Sequence, residues 1–180
     1  MKILLASGSP RRKQLLTELG HEVSVVKPDF DESRIQASNP AALVEALAEG
    51  KGRSVPPKKG VLLVAADTVV VFRGKILGKP ADEEEAFRTL SALSGQYHEV
   101  FTGVYLQKGD ISRQFTDRSE VHFRSLTERE IRAYIATGSP MDKAGAYGVQ
   151  DSGFVDHIKG SYNNVVGFPT EKFEEIMKEF

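Results

Sequence analysis

The sequence predicts an α/β domain built on a mixed, elongated sheet flanked by helices. Three observations carry that prediction. Segments with helical apolar spacing alternate with short apolar runs of strand length. Several of those runs are joined by tight turns, notably Arg73-Gly74-Lys75 and Lys108-Gly109-Asp110, so antiparallel pairs must accompany parallel ones. The 180 residues, 40% of them apolar, suffice for a single domain spanning 1–180 with a sizeable core.

Taken in order, Lys2 to Ala6 is an apolar run suited to a buried strand. Ser9 and Pro10 supply the N-cap and first turn of a helix, Leu15, Leu16 and Leu19 its stripe, and Gly20 its end. Val23 to Val26 is a second strand, and Asp29 to Ser33 an acidic loop. Asn39-Pro40 opens a helix with Leu43, Val44 and Leu47 inward, ending near Gly50; Ser54 to Gly60 is a linker. Val61 to Phe72 is the most apolar run, interrupted only by Asp67 and Thr68. Asp82 with Glu85 opens a helix to about Leu93, closed by Gly95. Tyr97 to Gln107 and Ile111 to Phe123 form a hairpin. Thr127 with Glu130 caps a helix ending at Gly138. Asp142 to Gly153 has glycines and no steady period, so it reads as a loop. Phe154 to Ile158 and Tyr162 to Val166 read as a last hairpin around Lys159-Gly160, and Thr170 as the cap of a terminal helix. The expected order is β-α-β-α-β-β-α-β-β-α-β-β-α.

Composition removes several functions. Lys plus Arg number 24 and Asp plus Glu 25, which argues against binding nucleic acid or an anionic membrane nonspecifically. The absence of cysteine excludes disulfides, thiolate-bound metals and cysteine nucleophiles. No run approaches the ~18 apolar residues of a membrane span. The apolar run Ile3 to Ala6 is too short for the core of a signal peptide, so a cytoplasmic chain is expected. Phosphate-loop, dinucleotide and nucleophile-elbow motifs are absent, and His21, His98, His122 and His157 lack zinc-ligand spacing.

What remains points to phosphate chemistry. In Ser7-Gly8-Ser9-Pro10-Arg11-Arg12 a strand delivers the chain to a helix N-terminus, where free N–H groups and the dipole attract anions. Two arginines in the first turn oppose the dipole, and a bound phosphate would relieve that; the plainer alternative is two solvated arginines beside an ordinary cap. Asp67 interrupts an apolar strand: either it holds a divalent ion or serves a water as general base, or it caps a hairpin shoulder. Glu32 is either a second carboxylate for a hard cation or part of a solvated loop. Lys79, in Leu77-Gly78-Lys79-Pro80, either meets a phosphate or lies on the surface. Gln150, closing Asp142-Lys143-Ala144-Gly145-Ala146-Tyr147-Gly148-Val149-Gln150, offers an amide donor and acceptor to a base edge or is a turn residue. Together these residues suggest metal-assisted hydrolysis of a phosphate ester or anhydride, with water as nucleophile.

At these residues the sequence resembles the Maf proteins. The segments Ala6-Ser7-Gly8-Ser9-Pro10-Arg11-Arg12, Ala66-Asp67-Thr68-Val69, Gly78-Lys79-Pro80 and 142–150 look like that family's signatures in its order and spacing. The resemblance implies a nucleoside triphosphate pyrophosphatase that releases a monophosphate and pyrophosphate. It implies a divalent cation (Mg²⁺ or Mn²⁺) and a two-lobed fold with a cleft, similar to that of the inosine triphosphate pyrophosphatases. Asp67 matches the family's general base; Glu32, with Asp67, a metal-binding carboxylate; Ser7, Arg11, Arg12, Lys51, Thr68, Lys79, Lys143 and Gln150 match substrate-binding positions. Arg11, Thr68 and Gln150 match the branch that prefers dTTP and UTP, rather than the one that prefers 7-methyl-GTP. The resemblance also allows a homodimer, and it carries a different-class alternative, a nucleotide-binding regulator of septum formation. One departure stands out: Gly50-Lys51-Gly52 replaces the family's frequent Glu-Lys-Ala.

Overall fold

The computed structural model describes residues 1–180. The chain divides into two compact units. The first comprises 1–68, 101–117 and 167–180; the second comprises 69–100 and 118–166. Strands pair in the order 22–26, 2–6, 62–72, 97–108, 111–123 and 155–159, with 75–77 on 62–72.

In the first unit, β1 (Lys2–Ala6) lies parallel to both β2 (Glu22–Val26) and β3 (Leu62–Phe72). Ile3, Leu4, Leu5 and Ala6 are all buried, because a parallel strand covered on both faces has no polar side to alternate with. Two crossover helices join these strands. In α1 (Pro10–Glu18) the Ser9 hydroxyl accepts from the Arg12 amide at 3.4 Å, and in α2 (Pro40–Arg53) Asn39 Oδ1 accepts from the Ala42 amide at 2.9 Å. Helix α2 runs three residues past Gly50, where the sequence suggests it stops. Its glycines are contact points rather than terminators. A Cβ on Gly52 would stand 2.3 Å from the Tyr105 ring, and one on Gly50 would stand 2.2 Å from the Phe30 ring. Tyr105 belongs to β5 (Tyr97–Lys108) and joins Leu4, Ala48, Val55 and Leu63 in the core. The last helix, α7 (Thr170–Met177), buries Phe173 against Phe168. Thr170 is its first residue, not its cap: the first turn closes on the Pro169 carbonyl, which accepts from the Phe173 amide at 3.0 Å.

In the second unit, β3 turns through Arg73 (φ 49°) and Gly74 (φ 78°) into β4 (Lys75–Leu77). Positive φ at both central residues is the primed turn that suits the right-handed twist of a hairpin. Asp82 caps α3 (Glu83–Leu93), and Thr127 and Glu130 form the expected capping box of α4 (Glu128–Ala136). Leu90, Leu93, Val100, Val121, Phe123, Ile131, Ile135 and Phe154 form the core. The far end of β6 (Ile111–Phe123) pairs antiparallel with β7 (Val155–Lys159).

Two expectations fail in this unit. The stretch 142–153 is not a featureless loop: it begins in a 3₁₀ turn at 139–142, continues in a second at 144–146 and then forms the short helix α5 (Val149–Ser152). Such turns close through local bonds, as from the Ala146 amide to the Lys143 carbonyl at 3.1 Å, and are too short to show an apolar period. Residues 162–166 are helix α6 (Tyr162–Val166), not a strand paired with β7. The Ser161 hydroxyl accepts from the Asn164 amide at 3.0 Å and starts the turn. The buried Asn164 side chain then donates to the Val100 carbonyl at 3.2 Å and to Ser119 Oγ at 3.0 Å. Those bonds need a local geometry that alternating strand positions do not supply.

Candidate active site

In the first unit, Ala6 ends β1 opposite Ala65 of β3, so Asp67 and Thr68 extend beyond the last β1–β3 pair. That is where α1 begins, at the carboxyl ends of parallel strands, the usual place for ligands in open α/β sheets. The break in the apolar run therefore has a positional cause. Asp67 is not a hairpin shoulder, since the turn residues are Arg73 and Gly74.

The two carboxylates converge on one ammonium. Lys51 Nζ lies 2.7 Å from Glu32 Oε1 and 2.6 Å from Asp67 Oδ2. The Lys51 and Asp67 side chains are 15% and 14% exposed, whereas Glu32 is 58% exposed, so Glu32 is the member free to move. Helix α2 delivers Lys51 from its last turn, where a cation also complements the dipole. Phe30 packs on Gly50, one residue before Lys51, and anchors the loop that carries Glu32. The unusual glycine is thus the partner of Phe30. Gly50→Ala is expected to change the unfolding temperature little, because improved helix propensity (about 1 kcal/mol) offsets lost ring packing. It should lower kcat/KM roughly tenfold by loosening Glu32. Thermal unfolding measured beside steady-state kinetics checks both parts.

The two arginines have different roles. Arg12 Nε donates to the Gly167 carbonyl at 2.9 Å, Nη1 to Ser7 Oγ and the Ala66 carbonyl at 3.1 Å each, and Nη2 to Thr68 Oγ1 at 2.9 Å. Four of its five N–H donors are therefore spent on the protein, tying α1 to β3 and to the segment before α7. Burial and, less strongly, Arg11 draw its pKa below the ordinary arginine value, against the opposing charges of Asp67 and Glu32. Arg11, its neighbour, makes no hydrogen bond or ion pair with protein and presents a whole guanidinium fork at the helix N-terminus. Ser7 is buried, and its Oγ also accepts from the Ser9 amide at 3.2 Å. Thr102, which no motif singles out, lies wholly buried with its Oγ1 2.9 Å from Thr68 Oγ1. A lone Thr in an apolar strand gives no signal in sequence, and neither does the Gly167 carbonyl.

A divalent cation fits the donor set at Glu32 and Asp67. Both oxygens are hard, no imidazole or thiolate competes, and no third acidic or His side chain completes a cage. Mg²⁺ commonly takes one or two carboxylates and fills its remaining positions with water and substrate phosphate. The point between the carboxylates holds the Lys51 ammonium.

In the second unit, Lys79 is exposed in its turn, and the preceding Gly78 carbonyl accepts from the Gly145 amide at 3.2 Å. Lys143 Nζ donates to the Ser139 carbonyl at 2.8 Å, Ser139 Oγ at 2.9 Å and Asp142 Oδ1 at 3.1 Å. Gln150 is exposed on α5. Their segment is pinned from below by a buried pair, with His98 Nε2 2.6 Å from the Tyr147 hydroxyl. Burial pushes the Tyr147 hydroxyl far above its usual value, helped by Tyr134, and holds His98 down to about 4, helped by His122.

The His98 shift predicts a pH effect. Unfolded His98 titrates near 6.5 and native His98 near 4, so between these values the unfolded chain binds more protons. Stability from this group is fully present above pH 6.5 and declines as pH falls towards 4, by about 1.4 kcal/mol per unit. In His98→Gln, melting temperatures recorded across that range should fall less steeply than in the wild type; parallel curves would contradict the assignment.

Residues 2–180 match the family described as Maf-like protein. The chain belongs to the Maf-like family. A curated relative from Halalkalibacterium halodurans, named dTTP/UTP pyrophosphatase, is 46% identical over 179 residues, covering 98% of this chain and 94% of the relative. Another of the same name, from Symbiobacterium thermophilum, is 43% identical over 182 residues, covering 99% and 94%. Among solved structures, a HAM1 protein from Coxiella burnetii aligns over the whole of both chains with a TM-score of 0.54 at 14% identity. The Ham1 protein of Staphylococcus aureus aligns over 99% of each chain with the same TM-score at 12% identity. The likeness of this Maf-like chain to those two is one of fold, and it is the fold the resemblance implied. No helix is long and apolar enough to cross a membrane.

Proposed function

We propose that this Maf-like chain is a nucleoside triphosphate pyrophosphatase that hydrolyses dTTP and UTP to the monophosphate and pyrophosphate. The relatives named above support the activity and the substrates. One observation in the molecule carries the mechanism. Asp67, at the carboxyl end of a parallel strand, is held through one oxygen by Lys51 beside an arginine-bearing helix N-terminus.

Each residue then has a task. Arg11 and the N-terminus of α1 receive the negative oxygens of the triphosphate. Arg12 holds the frame. Lys51 occupies Asp67 Oδ2 and so fixes the carboxylate's direction. Asp67 Oδ1, which makes no protein hydrogen bond, accepts the proton of a water as its oxygen attacks the α-phosphorus; pyrophosphate leaves as the phosphorus–oxygen bond to the β-phosphate breaks. Glu32 and Asp67 would hold a divalent cation, Mg²⁺ or Mn²⁺, which supplies neutralisation of phosphate charge when bound. In the second unit, Lys79, Lys143 and Gln150 keep the substrate-binding roles that the resemblance implies. The Gln150 amide, with a donor and an acceptor, complements the imide edge of uracil or thymine. This reading places the enzyme in the cytoplasm.

The test is pyrophosphate release from UTP, dTTP, CTP, GTP and 7-methyl-GTP with Mg²⁺ or Mn²⁺. Faster release from UTP and dTTP than from the others supports the reading. A preference for 7-methyl-GTP would keep the reaction and overturn the base assignment. Absence of release from every nucleotide by folded protein would overturn the reading.

A further inference from the structure

The polarity of the Thr68 hydroxyl is set from behind, by Thr102. Two groups meet at Thr68 Oγ1. Arg12 Nη2 lies at 2.9 Å and, as a guanidinium nitrogen, donates. Thr102 Oγ1 also lies at 2.9 Å, and geometry alone allows either hydroxyl to donate. Burial decides between them. Thr102 is fully enclosed, and Thr68 Oγ1 is its hydrogen-bond partner. If Thr68 donated, the Thr102 hydrogen would be left unpaired in the core, the costlier arrangement. Thr102 therefore donates. Thr68 Oγ1 then accepts twice, from Arg12 and from Thr102, and both its lone pairs are filled. Its own hydrogen is directed away from both donors, and Thr68 is only partly buried.

We propose that Thr102 is a positioning residue that makes Thr68 a donor-only contact, matched to an acceptor oxygen of the substrate and unable to accept from an amino group. The inference rests on the pyrophosphatase reading above. The acceptor belongs either to a uracil or thymine carbonyl or to a phosphate, and the two sources give different outcomes. Cytosine places an amino group where uracil has a carbonyl, so a donor-only hydroxyl on the base favours UTP over CTP. A donor-only hydroxyl on a phosphate helps both equally.

The experiment compares kcat and KM for UTP and CTP in the wild type, Thr102→Val, Thr102→Ser and Thr102→Ala, with thermal unfolding of each. Valine keeps the shape and removes the hydroxyl, freeing one lone pair of Thr68. If the contact is to a carbonyl, Thr102→Val should lower the UTP-to-CTP ratio of kcat/KM by about 3- to 10-fold, the equivalent of one hydrogen bond. If the contact is to a phosphate, the Thr68 hydroxyl, no longer held by Thr102, can turn away from it, so kcat/KM should fall by a similar factor for both nucleotides and leave the ratio unchanged. In either case Thr102→Ser restores wild-type values. Serine and alanine lose the same methyl group, so the difference between them isolates the hydroxyl even where the valine variant folds poorly. Wild-type kinetics in Thr102→Val, or equal kinetics in the serine and alanine variants, would overturn the proposal while leaving the pyrophosphatase reading intact. A wild type that releases no pyrophosphate from either nucleotide would overturn both.

Discussion

Asp67→Asn is expected to lower kcat for UTP hydrolysis by about 10²- to 10⁴-fold, the usual contribution of a positioned general base. Asparagine matches the carboxylate in shape and its amide oxygen can still accept from Lys51, which keeps its ion pair with Glu32, but it cannot accept the proton of the attacking water. Three consequences should appear together: loss of turnover, weaker dependence on divalent cation, and near-normal thermal unfolding. Unfolding temperature separates loss of chemistry from loss of structure. An Asp67→Asn enzyme that turns over at the wild-type rate would remove Asp67 from the mechanism both as base and as metal ligand.

Gly103→Ala carries the largest expected cost to the fold. Gly103 is buried on β5, and an added Cβ would stand 2.3 Å from the Val44 carbonyl oxygen and 2.6 Å from the Glu45 amide nitrogen of α2. Both are backbone atoms, so no rotamer change relieves the contact. The helix must lift from the sheet, taking Leu47 and Ala48 out of their packing and moving Lys51 further along. A loss of about 3 kcal/mol or more is expected, which corresponds to a drop in melting temperature of about 6–12 °C for a chain of this length. Gly8→Ala is the control, since open space surrounds that position and it should leave the melting temperature nearly unchanged. A Gly103→Ala protein that melts with the wild type would show that α2 does not sit as described.

Much of this was readable in the residues, for reasons specific to each place. The β1–α1 junction was legible because Ser9 and Pro10 announce a helix start and the two arginines contradict its dipole. Asp67 was legible because a carboxylate inside an apolar strand needs a reason. The Asp82 cap, the Thr127–Glu130 capping box, the Arg73-Gly74 turn and the Gly109 hairpin rest on local rules that long-range packing did not override. The failures share a different cause. Asn164 makes 162–166 helical through bonds to Val100 and Ser119, 64 and 45 residues away, which no local pattern encodes. Gly50 looked like a helix end because the Phe30 ring that occupies its space lies in another segment. The division between Arg12 and Arg11 was hidden for the same reason: both are arginines beside one cap, and only the Gly167, Ala66 and Thr68 oxygens reveal which is committed to the protein. Thr102 is the extreme case, a site residue whose identity depends entirely on what faces it.

The most direct test of the account is hydrolysis of UTP in ¹⁸O-labelled water, with the products separated and weighed by mass spectrometry. Water activated at Asp67 and attacking the α-phosphorus puts the label in UMP and leaves pyrophosphate unlabelled. Label in pyrophosphate, or release of inorganic phosphate with UDP, would mean that the attack falls elsewhere on the triphosphate and that the roles assigned around Asp67 are wrong.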